Sequence, residues 1–486
     1  MARRWQVLTV TSVAVFMSFL DLSIVNIAFP DLRASFAHVS LPHLSWILNA
    51  YNVVFAAALI PAGRLADRLG RRRLFFTGAV TFLAASVMSG LAGSVDLLIG
   101  ARALQALGAA ILVPTSLGLL LPEFPLSQRA TATAVWGATG AVAAAAGPSL
   151  GGLLVDWQGW RWVFFVNLLI GVPALIAGRP LLREQREAAI TFPDGLGALL
   201  LTAGIAALAL AIVEGPDWGW ASPGIVGALA VAAVTLPLFL LRSARHRAPI
   251  IELSLFRVRS FAVAGAGVFV FALGFYALLL ANVLFLTSVW GYSVLHAGVA
   301  LTPGPLMAAL AAPIGGRLSD RFGQRVVAVP GGLLFAAGAA LLTLQLGATP
   351  RYASQFLPAV LLTGAGVGLS FAGFGSAAVA ELPRSRYATG SAISSTFRQL
   401  GAVLGISALI AVLGTPGSAD ALAAFHRVWA LVALTGAVAA GTALALGRVR
   451  ARNVEEPHDV AVAAAPVSPT TPQAASPAPA TQGGKP

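Results

Sequence analysis

Residues 63–73 of the chain read GRLADRLGRRR, and residues 316–325 read GRLSDRFGQR. The two stretches align without a gap at an offset of 253 residues, and their Gly, Asp and Arg positions return together. A basic loop with a glycine turn alone would be an ordinary anchor on the cytoplasmic side of a membrane. The joint return of all three residue types instead indicates that one half of the chain is a duplicate of the other.

The composition places this repeat in a membrane protein. Hydrophobic residues make up 58% of the 486 residues and charged residues only 10%, whereas a soluble protein carries about 25% charged residues. Cysteine is absent, which excludes disulfide-stapled modules, zinc fingers and cysteine nucleophiles. The only lysine is Lys485, which leaves no candidate for the lysine of a nucleotide-binding P-loop.

Apolar windows of about 20 residues, the length of a membrane-spanning helix, recur along nearly the whole chain. We predict spans at residues 5–29, 44–62, 74–94, 97–121, 130–155, 162–182, 194–213, 223–241, 260–287, 294–315, 326–346, 354–380, 387–413 and 427–447. The first of these is too long for a cleaved signal peptide and is followed at once by others. The sequence therefore predicts fourteen transmembrane helices.

The arginines indicate which side of the membrane each connection occupies. If the N-terminus is cytoplasmic and the spans alternate, the cytoplasmic segments hold 24 of the thirty arginines. This positive-inside bias predicts an even number of spans and two cytoplasmic termini. The net charge of +13 is spread over short clusters between apolar runs, a pattern of membrane loops, so we predict no nucleic-acid partner.

The repeat determines the predicted architecture. An offset of 253 residues moves the first six spans onto spans nine to fourteen and leaves spans seven and eight as an insertion. We therefore predict an all-α integral membrane protein with two six-helix bundles related by a pseudo-twofold repeat, plus two inserted helices. The predicted units are the N-terminal bundle 1–182, the inserted helices with their loops 183–258, the C-terminal bundle 259–447 and a disordered cytoplasmic tail 448–486, rich in Ala, Pro, Ser and Thr.

The repeated stretch resembles the loop between spans two and three of the major facilitator superfamily, whose pattern is Gly-x-Leu-x-Asp-Arg-x-Gly-Arg-Arg. In that family the aspartate contacts neighbouring helix ends and arginine, and it latches the bundle halves on the cytoplasmic side. The resemblance implies the two-bundle major facilitator fold. It also implies a cytoplasmic gate made of Gly63, Asp67, Arg68, Gly70 and Arg72, with Asp320 and Arg321 as the counterpart in the second half.

Three further segments resemble the fourteen-span drug:proton antiporters of that superfamily: LDLSIVNIAFP at 20–30, GPSLGG at 147–152 and WRWVFFVN at 160–167. The second is similar to the family's antiporter motif and singles out Gly147, Pro148, Gly151 and Gly152. Pro148 removes a backbone hydrogen bond within span five, which fits an ordinary kink as well as a gating role. In span four Ala106 stands where the family pattern has glycine, so we expect looser packing there.

Asp21 is the only carboxylate deep inside a predicted span. An ionisable group in hydrocarbon costs about 2.5–3.5 kcal/mol, so Asp21 should face a cavity or a partner. Arg102 lies in the same outer half of the membrane and is the expected partner. The two form either a static ion pair or a proton site, in which alternating access would change their separation and so load and release a proton. We assign proton coupling to this pair.

Arg398, next to Phe397 in span thirteen, is a second buried charge and has no carboxylate at its depth. Packing and attraction of an anionic or polar substrate group explain it equally well. Other polar or aromatic residues near the spans are candidates for a substrate cavity, although each alone is more often interfacial. The candidates are Asn26, Trp46, Asn49, Tyr51, Asn52, Gln105, Trp136, Tyr276 and Asn282, together with Phe397 and Arg398. The histidines show no ligand spacing, so we predict no metal site.

The resemblance and the buried Asp21 favour a proton-coupled antiporter in the cytoplasmic membrane of a bacterium. It would export small amphipathic or cationic organic compounds, such as drugs, antibiotics or toxic metabolites, by alternating access. A dedicated exporter of one endogenous metabolite, lipid or self-made antibiotic is the alternative. The duplicated halves and Asp21 argue against a channel or receptor, and the lack of a paired-carboxylate or Ser/His/Asp set argues against an enzyme. The expected partners are the substrate, protons and membrane lipid, with no cofactor because the proton gradient drives transport, and we expect a monomer.

Overall fold

The computed structural model describes residues 3–185, 194–382, 386–414 and 420–446 of the chain. Within these ranges the chain forms fifteen α-helices joined by short connections. They are α1 (Arg3–Ser35), α2 (Leu41–Leu69), α3 (Arg71–Gly90), α4 (Val95–Leu120), α5 (Leu126–Gln158), α6 (Trp162–Leu181), α7 (Gly195–Trp218), α8 (Pro223–Arg245), α9 (Arg259–Ser288), α10 (Val294–Leu301), α11 (Pro303–Phe322), α12 (Arg325–Gln345), α13 (Leu357–Ala380), α14 (Tyr387–Leu413) and α15 (Ala421–Leu444).

Fourteen stretches of the described residues are long and apolar enough to cross a membrane, which confirms the predicted number and makes this a multi-pass membrane protein. The tenth span consists of two α-helices, α10 and α11. The helix breaks at Thr302 because Pro303 has no N–H to continue α10. Pro303 instead begins α11, where the first N–H groups need no partner within the helix. The Thr302 hydroxyl donates to the Gly298 carbonyl oxygen at 2.9 Å.

The repeated stretches are mainly helical, so the prediction that they are loops was wrong. α2 continues to Leu69 and α11 to Phe322, because a helix that leaves the hydrocarbon keeps its backbone hydrogen bonds while its charged side chains reach water. The helices end at Gly70 and Gly323, whose φ angles are 118° and 93°. These angles favour glycine. The two halves therefore turn at equivalent glycines.

Helix packing repeats between the halves as the sequence does. A Cβ on Gly78 of α3 would lie 3.0 Å from the carbonyl oxygen of Gly108 in α4. At the equivalent position in α12, a Cβ on Gly331 would lie 2.7 Å from the backbone nitrogen of Ser370 in α13. Such small residues let membrane helices approach to backbone contact. The structure thus has two six-span halves, α1–α6 and α9–α15. The boundaries 1–182, 183–258 and 259–447 stay a prediction, and the predicted tail 448–486 lies outside the described residues.

The inserted helices α7 and α8 form a hairpin held by one buried carboxylate. Oδ1 of Asp194 accepts the backbone N–H of Gly197 at 2.8 Å, which caps α7. The same oxygen accepts Nε of Arg242, in the last turn of α8, at 2.6 Å. α7 packs against α2 and α14, one helix from each half, while α8 packs chiefly against α7. The hairpin is therefore attached at the seam between the halves.

The halves meet along α2 with α14, α5 with α10, and α1 with α9. We call the end where α1 joins α2 the α1–α2 end, and the opposite end, where α2 joins α3, the α2–α3 end. The arginine bias predicts that the α2–α3 end is cytoplasmic. Ser149 of α5 and Thr302 form a hydrogen bond between their hydroxyls across the seam. Since α5 ends and α10 begins at the α1–α2 end, the contact of α5 with α10 joins the halves there.

Candidate functional site

The carboxylate of Asp21, in the middle of α1, is completely buried and accepts three hydrogen bonds. Its Oδ2 accepts Nη1 of Arg102 at 2.5 Å. Its Oδ1 accepts the side-chain amides of Gln105 at 2.8 Å and Asn167 at 3.2 Å. Both amides also donate to the Ser86 hydroxyl at 2.9 Å, which orients them. These five residues, from α1, α3, α4 and α6, form one closed polar group that we call the Asp21 cluster.

α2 holds Arg102 from another side. Nε of Arg102 donates to the Ile47 carbonyl oxygen at 3.2 Å, and the guanidinium carbon lies 4.3 Å from the centroid of the Tyr51 ring. A desolvated cation–π contact contributes about 2 kcal/mol. The Tyr51 hydroxyl is buried and has no hydrogen-bond partner among the described residues. The charge of Arg102 is thus balanced by Asp21 and covered by α2.

Asp21 and Arg102 both belong to the first half, which changes how the pair could work. A rigid rotation of one half against the other leaves α1 and α4 together, so it cannot by itself separate the pair as the sequence hypothesis required. Proton coupling by the pair stays a prediction. The sequence did not indicate three neighbours of the pair. Tyr51 was predicted only as a cavity candidate, Asn167 appeared only as the last residue of a motif, and nothing in the sequence pointed to Ser86.

The face of α2 opposite Arg102 contacts the second half. Nδ2 of Asn49 lies 3.4 Å from Oγ of Ser407 in α14. About two turns further along α2, the Ala56 carbonyl oxygen accepts the Thr396 hydroxyl at 3.4 Å. α2 therefore contacts both Arg102 and α14 of the second half. A displacement of α14 that carries α2 with it would withdraw support from Arg102.

The predicted antiporter motif packs α5 against α1 within the first half. A Cβ on Gly147 would lie 2.5 Å from Cβ of Ser23, and a Cβ on Gly151 would lie 2.7 Å from Cγ1 of Ile24. Both contacts are tighter than any side chain allows. Because Ser23 and Ile24 follow Asp21 by less than one turn, the small residues of α5 set the position of the helix that carries Asp21.

The other face of the same motif packs against α10 of the second half. A Cβ on Gly152 would lie 2.9 Å from Cα of Leu295. A Cβ on Gly298 would lie 3.0 Å from the carbonyl carbon of Pro148, an atom of the α5 backbone that cannot rotate away. The motif is thus a packing surface on two sides, toward the Asp21 helix and toward the other half. A role in gating stays a prediction.

Two of the predicted gate residues, Gly63 and Asp67, join helices of the first half at the α2–α3 end. Asp67 Oδ1 accepts Nε of Arg71 at 2.6 Å, and Nη1 of Arg71 donates to the Gly118 carbonyl oxygen at 3.2 Å. These bonds connect α2, α3 and α4. A Cβ on Gly63 would lie 3.3 Å from Cβ of Pro114, so α2 and α4 are also close there.

The rest of the predicted gate lies beside Glu184, which follows α6. Glu184 Oε1 accepts the backbone N–H of Arg72 at 3.0 Å, and a Cβ on Gly70 would lie 2.6 Å from the same oxygen. Nη2 of Arg72 donates to the Arg179 carbonyl oxygen at 3.0 Å. Arg68 is partly buried. These contacts hold the first half together, and a latch between the halves stays a prediction for these residues.

The second-half counterpart of the gate is only partly described. Arg321 is exposed, and its guanidinium carbon lies 5.1 Å from the centroid of the Phe322 ring. The side chain of Asp320 lies outside the described residues, so its predicted role is not tested.

Glu252, in the connection between α8 and α9, bridges the two halves at the α2–α3 end. Its Oε1 lies 3.5 Å from Nη2 of Arg64 in α2, and its Oε2 accepts Nη1 of Arg386, at the start of α14, at 2.9 Å. Sequence reasoning missed this residue because one glutamate in a basic connection gives no pattern. We call this the Glu252 bridge.

We expect Glu252→Gln to loosen the α2–α3 end slightly. The partly exposed ion pairs contribute about 0–1 kcal/mol, so the opening equilibrium should shift by less than about fivefold. Opening can be followed by labelling a single cysteine introduced by Thr396→Cys, at a buried position beside α2. Because the chain has no cysteine of its own, no other residue is labelled. The measurement is the rate at which this cysteine is labelled by a membrane-impermeant maleimide in everted vesicles. Glu381→Gln, an exposed glutamate, is the matched control, and equal rates in both variants would contradict a bridging role.

The candidate cavity residues do not come together in one place. Gln105 belongs to the Asp21 cluster, and Asn282 is 4% exposed and accepts Nε1 of Trp429 at 3.0 Å. Nε1 of Trp136 donates to Ser116 at 3.0 Å. Trp46 is partly buried among core residues. Three of the candidates are buried and have amide oxygens without a partner in the described residues: Asn26, Asn49 and Asn52.

Tyr276 in α9 and Arg398 in α14 are close to each other in the second half. Arg398 lies over the ring of Phe371, with its guanidinium carbon 5.9 Å from the ring centroid, and it interacts electrostatically with Tyr276. Phe397 points elsewhere, toward Phe256, whose ring centroid is 5.8 Å away. Which of the candidates touch a substrate stays a prediction. Within the described ranges no group of three or more His, Asp or Glu side chains could hold a metal ion.

Two repeated six-span halves that enclose a charged group at mid-depth define the class as a multi-pass membrane transporter with two bundles. The family model described as Major Facilitator Superfamily matches residues 11–259 and 264–480. This chain belongs to the major facilitator superfamily, as the sequence resemblance predicted, and transporters of small molecules make up that family.

Similar proteins support the same placement. The chain is 36% identical over 414 residues to the multidrug resistance protein Stp of Mycobacterium tuberculosis (strain CDC 1551 / Oshkosh). The aligned region covers 84% of this chain and 76% of that protein. It is 33% identical over 409 residues to the tetracenomycin C resistance and export protein of Streptomyces glaucescens, with 84% and 75% covered. A crystal structure of a mutant of the peptide transporter POT in complex with sulfate shares the fold, with a TM-score of 0.63 and 17% identity over 92% of this chain and 96% of that one.

Proposed function

We propose that this protein exports small amphipathic organic compounds, such as drugs or antibiotics, in exchange for protons. The observation that carries the proposal is the completely buried ion pair of Asp21 and Arg102 in the middle of the first half. An ionisable carboxylate kept at that depth is costly and marks ion or proton pathways in membrane proteins. The drug-resistance and export names of the relatives support the export direction.

The geometry supports a coupling mechanism that runs through α2. With α2 in place, Asp21 is bound to Arg102 and enclosed by its neighbours. When the second half moves and draws α2 aside, Arg102 loses the Ile47 carbonyl and the ring of Tyr51. Arg102 can then shift from Asp21 Oδ2, and a proton entering from the outer side can bind that oxygen. The return of Arg102 to Oδ2 favours the charged carboxylate and expels the proton inward.

The second candidate function is the dedicated export of one compound. One observation favours it: a relative of similar identity is named for resistance to and export of a single antibiotic, tetracenomycin C. Both candidates share the same proton site and differ only in the breadth of substrates. We further propose a monomer that lies in the cytoplasmic membrane with the α2–α3 end toward the cytoplasm, as the arginine bias indicates.

Proteoliposomes test the exchange directly. The purified protein is reconstituted with a pH-sensitive dye trapped inside, an inward-acidic gradient is imposed, and a panel of aromatic drugs and antibiotics is added outside. An antiporter will move protons outward as compound enters, at a rate that depends on the compound and vanishes in protein-free liposomes. Accumulation of compounds with no proton movement would contradict coupling, and proton movement with no compound would indicate a channel. A response to one compound of the panel would favour the dedicated exporter.

A further inference from the structure

The guanidinium of Arg398 is surrounded by aromatic side chains of the second half. It stands over the ring of Phe371 in α13 at 5.9 Å and interacts electrostatically with Tyr276 in α9. Phe275 packs edge-on against both rings, with centroids 5.1 Å from Tyr276 and 5.6 Å from Phe371. All four side chains are partly exposed. We call Phe275, Tyr276, Phe371 and Arg398 the Arg398 cluster.

No acidic group of the described chain neutralises Arg398. Its Nε is buried and has no hydrogen-bond acceptor, and none of the ion pairs between described residues includes it. The position in α9 that the 253-residue repeat pairs with Asp21 is Gly274. The same offset pairs Arg102 with Gln355, so the second half carries neither residue of that ion pair, and Arg398, which pairs with Ala145, is a charge without an equivalent in the first half.

The Arg398 cluster lies on helices that face the first half, since α9 packs against α1 and α14 against α2. Tyr276 lies close enough to Tyr51 of the first half for the two hydroxyls to interact electrostatically, and the ring of Tyr51 covers Arg102. Asp21 cannot serve Arg398 as a counter-ion, because it is fully buried and already bound to Arg102. From the described residues, the centre of the molecule thus carries one unbalanced positive charge. An unpaired charge in a low-dielectric interior is unfavourable until an anion binds to it.

We propose that the Arg398 cluster is a binding subsite for the acidic group of an aromatic substrate, and that the transported compounds are aromatic organic anions in preference to cations. Guanidinium donors suit a carboxylate or phenolate, which they bind by two parallel hydrogen bonds. Phe371 and Phe275 offer edges and faces to an adjoining aromatic ring. The inference rests on the proposed export function and narrows its substrates.

Three fluorescent probes of equal shape and different charge test the subsite: 9-anthracenecarboxylate, 9-anthracenecarboxamide and 9-anthracenemethylammonium. Binding to the full-length protein in detergent is measured by fluorescence polarisation at neutral pH. The carboxylate is expected to bind more tightly than the amide, by about 10- to 100-fold, as for a buried charge-assisted hydrogen bond. The ammonium is expected to bind most weakly. Equal binding of all three probes, or tightest binding of the ammonium, would overturn the proposal.

The Arg398→Gln variant tests the contribution of the positive charge to binding separately from that of the aromatic packing. This variant should bind the carboxylate and the amide with similar affinity, because the aromatic rings remain while the charge that distinguishes the two probes is gone. Arg398→Lys should retain a preference for the carboxylate, reduced because an ammonium lacks the two-pronged geometry. Arg351→Gln, an exposed arginine before α13, is the control and should keep the wild-type ratio. If Arg398→Gln keeps the preference for the carboxylate, the subsite lies elsewhere and the proposal is wrong.

The two proposals fail in different ways. If proton exchange occurs in proteoliposomes but only with the ammonium probe or other cations, the export function stands and the anion subsite does not. If the carboxylate binds through Arg398 but no probe or drug moves with protons, the subsite stands and the coupled export does not. The binding measurement needs no gradient, so its outcome does not depend on coupling.

Discussion

Asp21→Asn is expected to abolish proton-driven efflux while the protein still folds and inserts. Asparagine has the same shape and can still accept a hydrogen bond from Arg102, but it cannot bind and release a proton. The remaining bonds of Arg102 to Ile47 and Gln105, and its contact with Tyr51, hold the side chain in place. Arg102 loses its counter-ion, so the midpoint of thermal unfolding should fall, because breaking a buried ion pair is costly.

The measurement compares active and passive transport of one compound in the same proteoliposomes. Accumulation against a gradient should fall to the level of protein-free liposomes, whereas exchange of labelled for unlabelled compound without a gradient should continue. Asp156→Asn, an exposed carboxylate at the end of α5, is the matched control and should behave as wild type. Unaltered accumulation in Asp21→Asn would remove Asp21 from the coupling mechanism, and the pair with Arg102 would then be structural.

Gly298→Ala is expected to open the α1–α2 end and to slow transport strongly. The new methyl group would press on the Pro148 carbonyl group of α5, whose backbone cannot move aside without shifting the helix. Overpacking of this kind costs about 1–3 kcal/mol. The cost falls only on the conformation in which α5 and α10 touch, so the equilibrium between conformations should shift by about 5- to 150-fold.

Ser407→Cys in the cysteine-free chain reports this opening. Ser407 is completely buried where α14 meets Asn49 of α2, so a membrane-impermeant maleimide outside the cell should reach it only when the α1–α2 end opens. Labelling should be faster in Gly298→Ala by the factor given above. Gly100→Ala is the control, because a Cβ there meets nothing within 4 Å in a helix of the first half. Equal labelling rates in the two variants would mean that the α5–α10 contact does not close this end.

The sequence predicted the spans well because each span has to satisfy its own backbone within the membrane. Each span must then be helical, long enough and apolar at the same time. All three properties can be recognised from the residues of that span alone. The break at Thr302 was missed because α10 and α11 are both apolar and together have the length of one span. The helical course of residues 63–69 was missed because charge was taken to mark a loop, whereas a helix can carry charged side chains beyond the hydrocarbon.

Of the residues in the candidate site, only the charged ones could be identified with certainty from the sequence. Asp21, Arg102 and Arg398 stand out because charge is rare in apolar spans. Their neighbours do not stand out, since Ser86 and Asn167 lie far from Asp21 in the sequence and resemble many other small polar residues. Glu252 was missed for a related reason: its function as a bridge depends on Arg64 and Arg386, which only the folded chain brings to it.

The sequence alone determined the features that follow from the internal repeat or from the requirements of the lipid bilayer. These are the fourteen spans, the two halves at an offset of 253 residues and the membership in a transporter family. The tertiary structure decided which groups surround each charge. It enclosed Asp21 and Arg102 with Gln105, Asn167 and Ser86 and covered Arg102 with α2, a helix that also contacts the second half. The physical reason is that the cost of a charge in the membrane depends on contacts between distant helices, and those contacts exist only after the helices have packed.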